Sequence, residues 1–146
     1  MEVLSKNDGI LTNAEVLDLL QERLKTRDPQ AYFEPLENRD YIESKTVQHL
    51  RDAMKIAGNK KDPTPDMCVR FFKEMSRLAH LPATEPNSLR KAQLTQVELL
   101  ELCNHMPTAE VELFLLVADG YTRCTEEQVA VILGAVRTCF ELPVDE

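Results

Sequence analysis

Glycine is scarce. Gly9, Gly58, Gly120 and Gly134 are the only ones, and none stands in the G-x-x-x-x-G-K or G-x-G-x-x-G setting whose backbone cradles a phosphate. The serines lack a G-x-S-x-G neighbourhood, so no nucleophile elbow is encoded. Cysteine is sparse as well. Cys68, Cys103, Cys124 and Cys139 lie far apart, with no C-x-x-C pair and no spacing of a zinc ribbon or finger. Four free, mostly buried thiols are expected rather than a disulfide framework. Positive charge is in deficit, with 17 basic against 25 acidic side chains and a net charge of -8. Such a field repels a phosphate backbone, so any nucleic-acid contact has to be local or borrowed from a partner. No apolar run approaches the roughly 18 residues that span a bilayer, and no secretory signal pattern opens the chain. A soluble intracellular protein is expected.

What is present is aliphatic and helical. A hydrophobic content of 43% over 146 residues suffices for one core that hides roughly 70% of the surface exposed by the unfolded chain. Strict alternation never persists long enough for a sheet, so the fold class is all-α. Thr12-x-x-Glu15 is a capping box for a first helix to about Arg27, with Val16, Leu20 and Leu24 recurring at i+4. Asp28-Pro29 ends it. Residues 28–42 carry two prolines and many charges and read as a connector, pinned by Tyr32, Phe33 and Tyr41. A second helix over about 43–57 has Val47, Leu50, Met54 and Ala57 on one stripe and stops at Gly58-Asn59.

Thr64-Pro65-Asp66 opens a third helix, with a cap, a proline whose missing N–H costs nothing, and an acid favoured by the dipole. Cys68, Phe71, Phe72, Met75 and Ala79 form its inward face and Pro82 closes it. Three further helices are expected over about 95–105, 108–119 and 125–141. Thr95-x-x-Glu98 and Thr125-x-x-Gln128 are capping boxes, and Thr108 caps the middle helix. That helix has almost no polar face, which predicts a place at the centre of the bundle. The last carries Val129, Ile132, Leu133, Val136 and Phe140 as an amphipathic stripe.

Candidate chemistry is thin. Cys103, His105 and Met106 crowd a helix end before Pro107, but adjacent helical positions point about 100° apart and do not converge on a metal. Cys103 and Met106 are therefore expected in the core and His105 half exposed. His49 and His80 are isolated, and Glu98, Glu101, Glu110 and Glu112 fall where a solvated helix face would put them. No catalytic, cofactor-binding or metal residues are assigned. A binding or assembly protein is expected rather than an enzyme. One basic cluster, Arg51, Lys55, Lys60 and Lys61, is the candidate nucleic-acid contact. Ahead of the first helix, Val3, Leu4, Ile10 and Leu11 have no bundle position of their own and suit an extended segment on a partner.

Two stretches carry a resemblance. MEVLSKNDGILTNAEVLDLL at 1–20 is similar to the start of the smaller stalk subunit of eukaryotic RNA polymerase III. LTQVELLELCNHMPTAEVELFLLVADGYTRCTEEQVAVIL at 94–133 is similar to the C-terminal signature of that family. The carrying residues of the second are Leu94-Thr95, Leu99-Leu100, Asn104-His105, Pro107, Ala109 with Val111-Glu112, and Thr125-Glu126-Glu127-Gln128. The family includes the equivalent stalk protein of archaeal RNA polymerase and the corresponding RNA polymerase II subunit. The loop from Pro82 to Lys91 is a departure from its pattern.

The resemblance implies an HRDC-like helical bundle over 43–146, a connector over 28–42, and a segment and helix over 1–27 that pack on a larger stalk subunit with an OB-type barrel. It implies a non-catalytic, nuclear subunit without a cofactor. The heterodimer would sit on the polymerase core, engage an initiation factor and meet RNA mainly through the partner. Val3, Leu4, Ile10, Leu11, Val16 and Leu20 are then the expected subunit contacts. The assignment to polymerase III rests on the compact N-terminus. The corresponding polymerase II subunit, a freestanding HRDC-type single-stranded nucleic-acid module and an unrecognised hydrolase or metal protein are the alternatives.

Overall fold

Thr12 opens the first helix by closing a box with Glu15. Its backbone N–H and hydroxyl donate to the Glu15 carboxylate at 2.7 and 2.8 Å, and the Glu15 N–H returns to Thr12 Oγ1 at 3.3 Å. The computed structural model describes residues 9–26, 37–54 and 62–143. The expectations for Val3, Leu4, Tyr32, Phe33, Ala57, Gly58-Asn59, Lys55, Lys60 and Lys61 lie outside the described residues.

The elements are α1 (Asn13–Thr26), α2 (Glu37–Met54), α3 (Pro65–His80), α4 (Gln96–His105), α5 (Glu110–Leu116), α6 (Gly120–Arg123) and α7 (Glu126–Phe140). No strand occurs among the described residues, and the chain is an all-α bundle, as expected. No helix of the described residues is long and apolar enough to cross a membrane.

The first three helices each differ from expectation. In α1 the buried line is Ala14 and Leu17, with Val16 and Leu20 half-buried beside it and Leu24 exposed. An i+4 series drifts around a 3.6-residue turn by about 40° per step, so Leu24, two steps on from Val16, has left the inward side. Helix α2 begins at Glu37, within the stretch read as a connector. After Pro35 nothing up to Met54 breaks a helix, and the charged residues that suggest a loop are themselves good helix formers. In α3, Leu78 takes the inward place expected for Ala79, which is exposed, while Phe72 is half-buried. Thr64 caps α3 from the Met67 N–H at 3.4 Å, with Pro65 at its first position.

The core lies between α3 and α7, the most extensive helix pairing. The Phe71 and Phe140 rings are 5.7 Å apart, within a cluster that includes Met75, Leu102, Met106, Leu113, Ile132 and Val136. Each such side chain withdrawn from water contributes about 1.5–3 kcal/mol. The stripe expected on α7 is present, with Leu133 half-buried at its edge. Helix α1 packs on α2 and α3.

The expectation of a central helix from Thr108 is corrected. The apolar run divides into α5 and the single turn of α6, because Asp119 adopts a left-handed conformation at φ 52°. Only Leu113 and Val117 of this run are fully buried, while Val111 and Leu115 point outward. Thr108 is not the N-cap. That position is Ala109, and the Glu112 carboxylate accepts from the Thr108 and Ala109 N–H groups at 2.8 and 3.2 Å. Glycine scarcity shows at the helix ends as well. Met106 and Glu141 close α4 and α7 at φ 46° and 55°, a conformation usually left to glycine.

Candidate partner-binding surface

The corner at Cys103–Pro107 contains no reactive centre. Cys103 and Met106 are buried, and His105 is exposed with Nε2 3.1 Å from Glu101. The left-handed Met106 turns the chain, and its N–H donates to the Leu102 carbonyl at 2.9 Å. The corner also anchors α1, since Asn104 Oδ1 accepts the Asn13 N–H at 2.9 Å.

All four cysteines are free and buried. Cys103 is pushed up by its hydrogen bond to Cys68 and by burial, while that bond, against the pull of burial, lowers Cys68. Burial raises Cys124 and Cys139. The raised thiols Cys103, Cys124 and Cys139 are held in their neutral, unreactive form. His49 and His80 are exposed, and His80 Nδ1 lies 2.7 Å from the Ser76 carbonyl. Among the described residues, no three His, Cys, Asp or Glu side chains cluster as metal ligands would.

Glu98 was expected on a solvated face and is instead 7% exposed. It closes the α4 capping box with Thr95 and accepts the Ala118 N–H at 3.1 Å. Arg123 Nη1 reaches Glu98 Oε1 at 2.6 Å, and its Nη2 donates to the Ala92 and Gln93 carbonyls at 3.0 and 2.8 Å. Burial disfavours the Glu98 charge, but bonds from Arg123 and Thr95 outweigh it and hold the carboxyl at about 2. The pair is structural: it ties the loop before α4, the start of α4 and α6 into one unit. Gln128 adds a second tie, donating Nε2 to the Ser88 carbonyl at 3.0 Å. The long loop after Pro82 is thereby held against α7.

The partner residues expected from the sequence divide. Ile10 and Leu11 are 76% and 52% exposed, whereas Val16 and Leu20 are half-buried against the chain's own core. Three further exposed side chains were not anticipated as contacts, Leu19 on α1 and Tyr41 and Ile42 on α2. Leu19 follows Leu11 by two turns and was masked by its apolar neighbours. Tyr41 and Ile42 were hidden by the reading of 28–42 as connector. These side chains are open to solvent, Leu19 among the exposed charged residues Asp18, Glu22 and Arg23, while Ala14 and Leu17 fix α1 to the bundle. Such exposure of large apolar side chains on neighbouring elements marks an interaction surface.

Of the basic cluster, Arg51 is exposed with its Nε 3.6 Å from Asp62.

The model of a family described as RNA polymerase Rpb4 covers residues 10–140, which takes in every helix described above.

Proposed function

The chain belongs to the RNA polymerase Rpb4 family, a family of non-catalytic polymerase subunits, and from that membership we propose that it is the smaller stalk subunit of RNA polymerase III. It forms a heterodimer with a larger, OB-containing stalk subunit and supports initiation, including that of tRNA genes, through contact with an initiation factor. Its place is the nucleus, and its HRDC-like bundle meets RNA mainly through the partner. The choice of polymerase III is supported by the likeness of residues 1–20 to that protein. The carrying observation is that Ile10, Leu11, Leu19, Tyr41 and Ile42 each stand exposed on a chain of this family. A helix pair that leaves such residues in water gains stability when a second subunit covers them.

The partner contact is assigned to Ile10 and Leu11, continuing toward Val3 and Leu4, with Val16 and Leu20 at its inner margin. Affinity purification of the tagged full chain from nuclear extract tests this reading. RNA polymerase III subunits should co-purify with it in stoichiometric amount. Recovery of polymerase II subunits instead would reassign the chain to the corresponding stalk, and salt-sensitive RNA binding by the chain without polymerase would favour a freestanding module.

A further inference from the structure

Helix α5 presents a second apolar face, on different elements from the α1–α2 surface. Val111, Phe114 and Leu115 fall at i, i+3 and i+4 and therefore share one side of the helix. Val111 is 67% and Leu115 82% exposed, and Tyr121 beyond the corner is 73% exposed. Single exposed aliphatics are ordinary, but several side by side are not.

The aromatic part of this face is built by the backbone. Asp119, left-handed at φ 52°, turns the chain back on itself. At Gly120 a Cβ would lie 2.5 Å from Phe114 Cδ1, so only glycine lets the ring come so close. Tyr121 then stacks on Phe114, with centroids 3.8 Å apart and planes inclined by 29°. A left-handed aspartate and an obligatory glycine thus hold an aromatic pair at the surface, where the tyrosine stays open to solvent.

Charge selects the occupant. From Asn104 to Thr122 there is no lysine or arginine, while Glu110, Glu112 and Asp119 supply three acids; of the flanking cations, Arg123 is paired with Glu98 and Arg137 donates to the Thr108 carbonyl at 3.0 Å. An acidic rim repels phosphate and anionic lipid. It also opposes a second copy of the chain, which would set carboxylate against carboxylate. An exposed aromatic face beside acids attracts guanidinium and ammonium groups. We propose that Val111, Phe114, Leu115 and Tyr121 form a docking shelf for an amphipathic, arginine- or lysine-bearing segment of another protein. Leucine-type side chains of that segment lie on Val111 and Leu115, and a cation lies over Tyr121. The assignment does not depend on which polymerase the chain serves.

The test uses the full chain, alone and co-purified with its larger partner. The probe is a synthetic amphipathic helical peptide of leucine, alanine and arginine, with a glutamate-for-arginine peptide as control. Saturable amide shifts at Val111, Phe114, Leu115 and Tyr121 are expected with the arginine peptide only. The double variant Val111→Lys with Leu115→Lys, altered only at exposed positions, should weaken binding about ten-fold or more, the equivalent of about 1.4 kcal/mol. Tyr121→Leu, which keeps apolar area and removes the ring, should weaken it by a smaller factor. Equal binding of the glutamate peptide, shifts confined to other surfaces, or undiminished affinity of the lysine variant would overturn the proposal. So would a dimer of the chain dispersed by that variant, equivalent shifts with single-stranded RNA, or hydrogen-exchange protection of 111–121 by the larger stalk partner itself.

Discussion

Arg123 sets Nη1 2.6 Å from Glu98 Oε1 while Nη2 donates to the Gln93 carbonyl at 2.8 Å, so one guanidinium ties α6 to both the loop before α4 and the start of α4. Gln93 itself is left-handed at φ 47°, and the bond to its carbonyl helps fix that turn. Removing one member of such a pair leaves the other without its counter-charge in a poorly solvated place.

Glu98→Gln is accordingly expected to cost about 3 kcal/mol at neutral pH, by chemical denaturation followed by circular dichroism. The folded carboxyl is held at about 2, below its ordinary 4.5. Its contribution is therefore complete above about 4.5 and disappears as pH falls toward 2. The stability difference between the wild type and Glu98→Gln should shrink across that window. A constant difference would refute the assigned ion pair.

The α1–α2 surface separates binding from folding. Leu11→Asp with Leu19→Asp alters exposed positions, so far-UV helicity and Tm should hold while the larger subunit no longer co-purifies. Leu17→Asp, by contrast, places a charge at a buried site and should unfold the chain. Full-strength binding by the double variant would relocate the interface.

Gly120→Ala drives a methyl into the Phe114 ring and should destabilise the chain by about 1–3 kcal/mol, with loss of the near-ultraviolet signal of the stacked pair. Phe114→Leu in the same chain should recover part of the loss, since a smaller side chain makes room. A double-mutant cycle with no coupling would show that the close approach is unimportant.

Glu141→Gly should stabilise the protein. The residue is left-handed at φ 55°, where a Cβ costs about 1–2 kcal/mol. Its ion pair with Arg70, 3.4 Å long and half exposed on both sides, contributes at most about 1 kcal/mol. A fall in Tm would mean that the ion pair outweighs the backbone strain.

Helix starts marked by a capping box were the most legible part of the sequence because their chemistry is local. Thr12, Thr95 and Thr125 each sit three residues before the Glu or Gln that completes the box, and all three boxes are present. The α7 stripe was legible for the same reason. Long-range pairing was not: Glu98 reads as a surface acid until Arg123, 25 residues later, is brought against it. Hydrophobicity alone also misplaced α5. Its run of apolar residues indicates burial, yet only Leu113 and Val117 of that run are fully buried, while Val111 and Leu115 on another side of the helix are exposed. At the candidate contact, Ile10 and Leu11 were visible because no periodic pattern absorbs them, whereas Tyr41 and Ile42 were concealed by surrounding charge.

The pairing of α3 with α7 also imposes an order on biosynthesis. The seat for Phe71 is completed by Phe140, which leaves the ribosome long after α1 and α2 have emerged. Until then the nascent polypeptide can form little more than its early helical hairpin, whose oily residues stay accessible to chaperones. Translation that stops short of Val129–Phe140 would leave the chain without its main tertiary support and mark it for destruction.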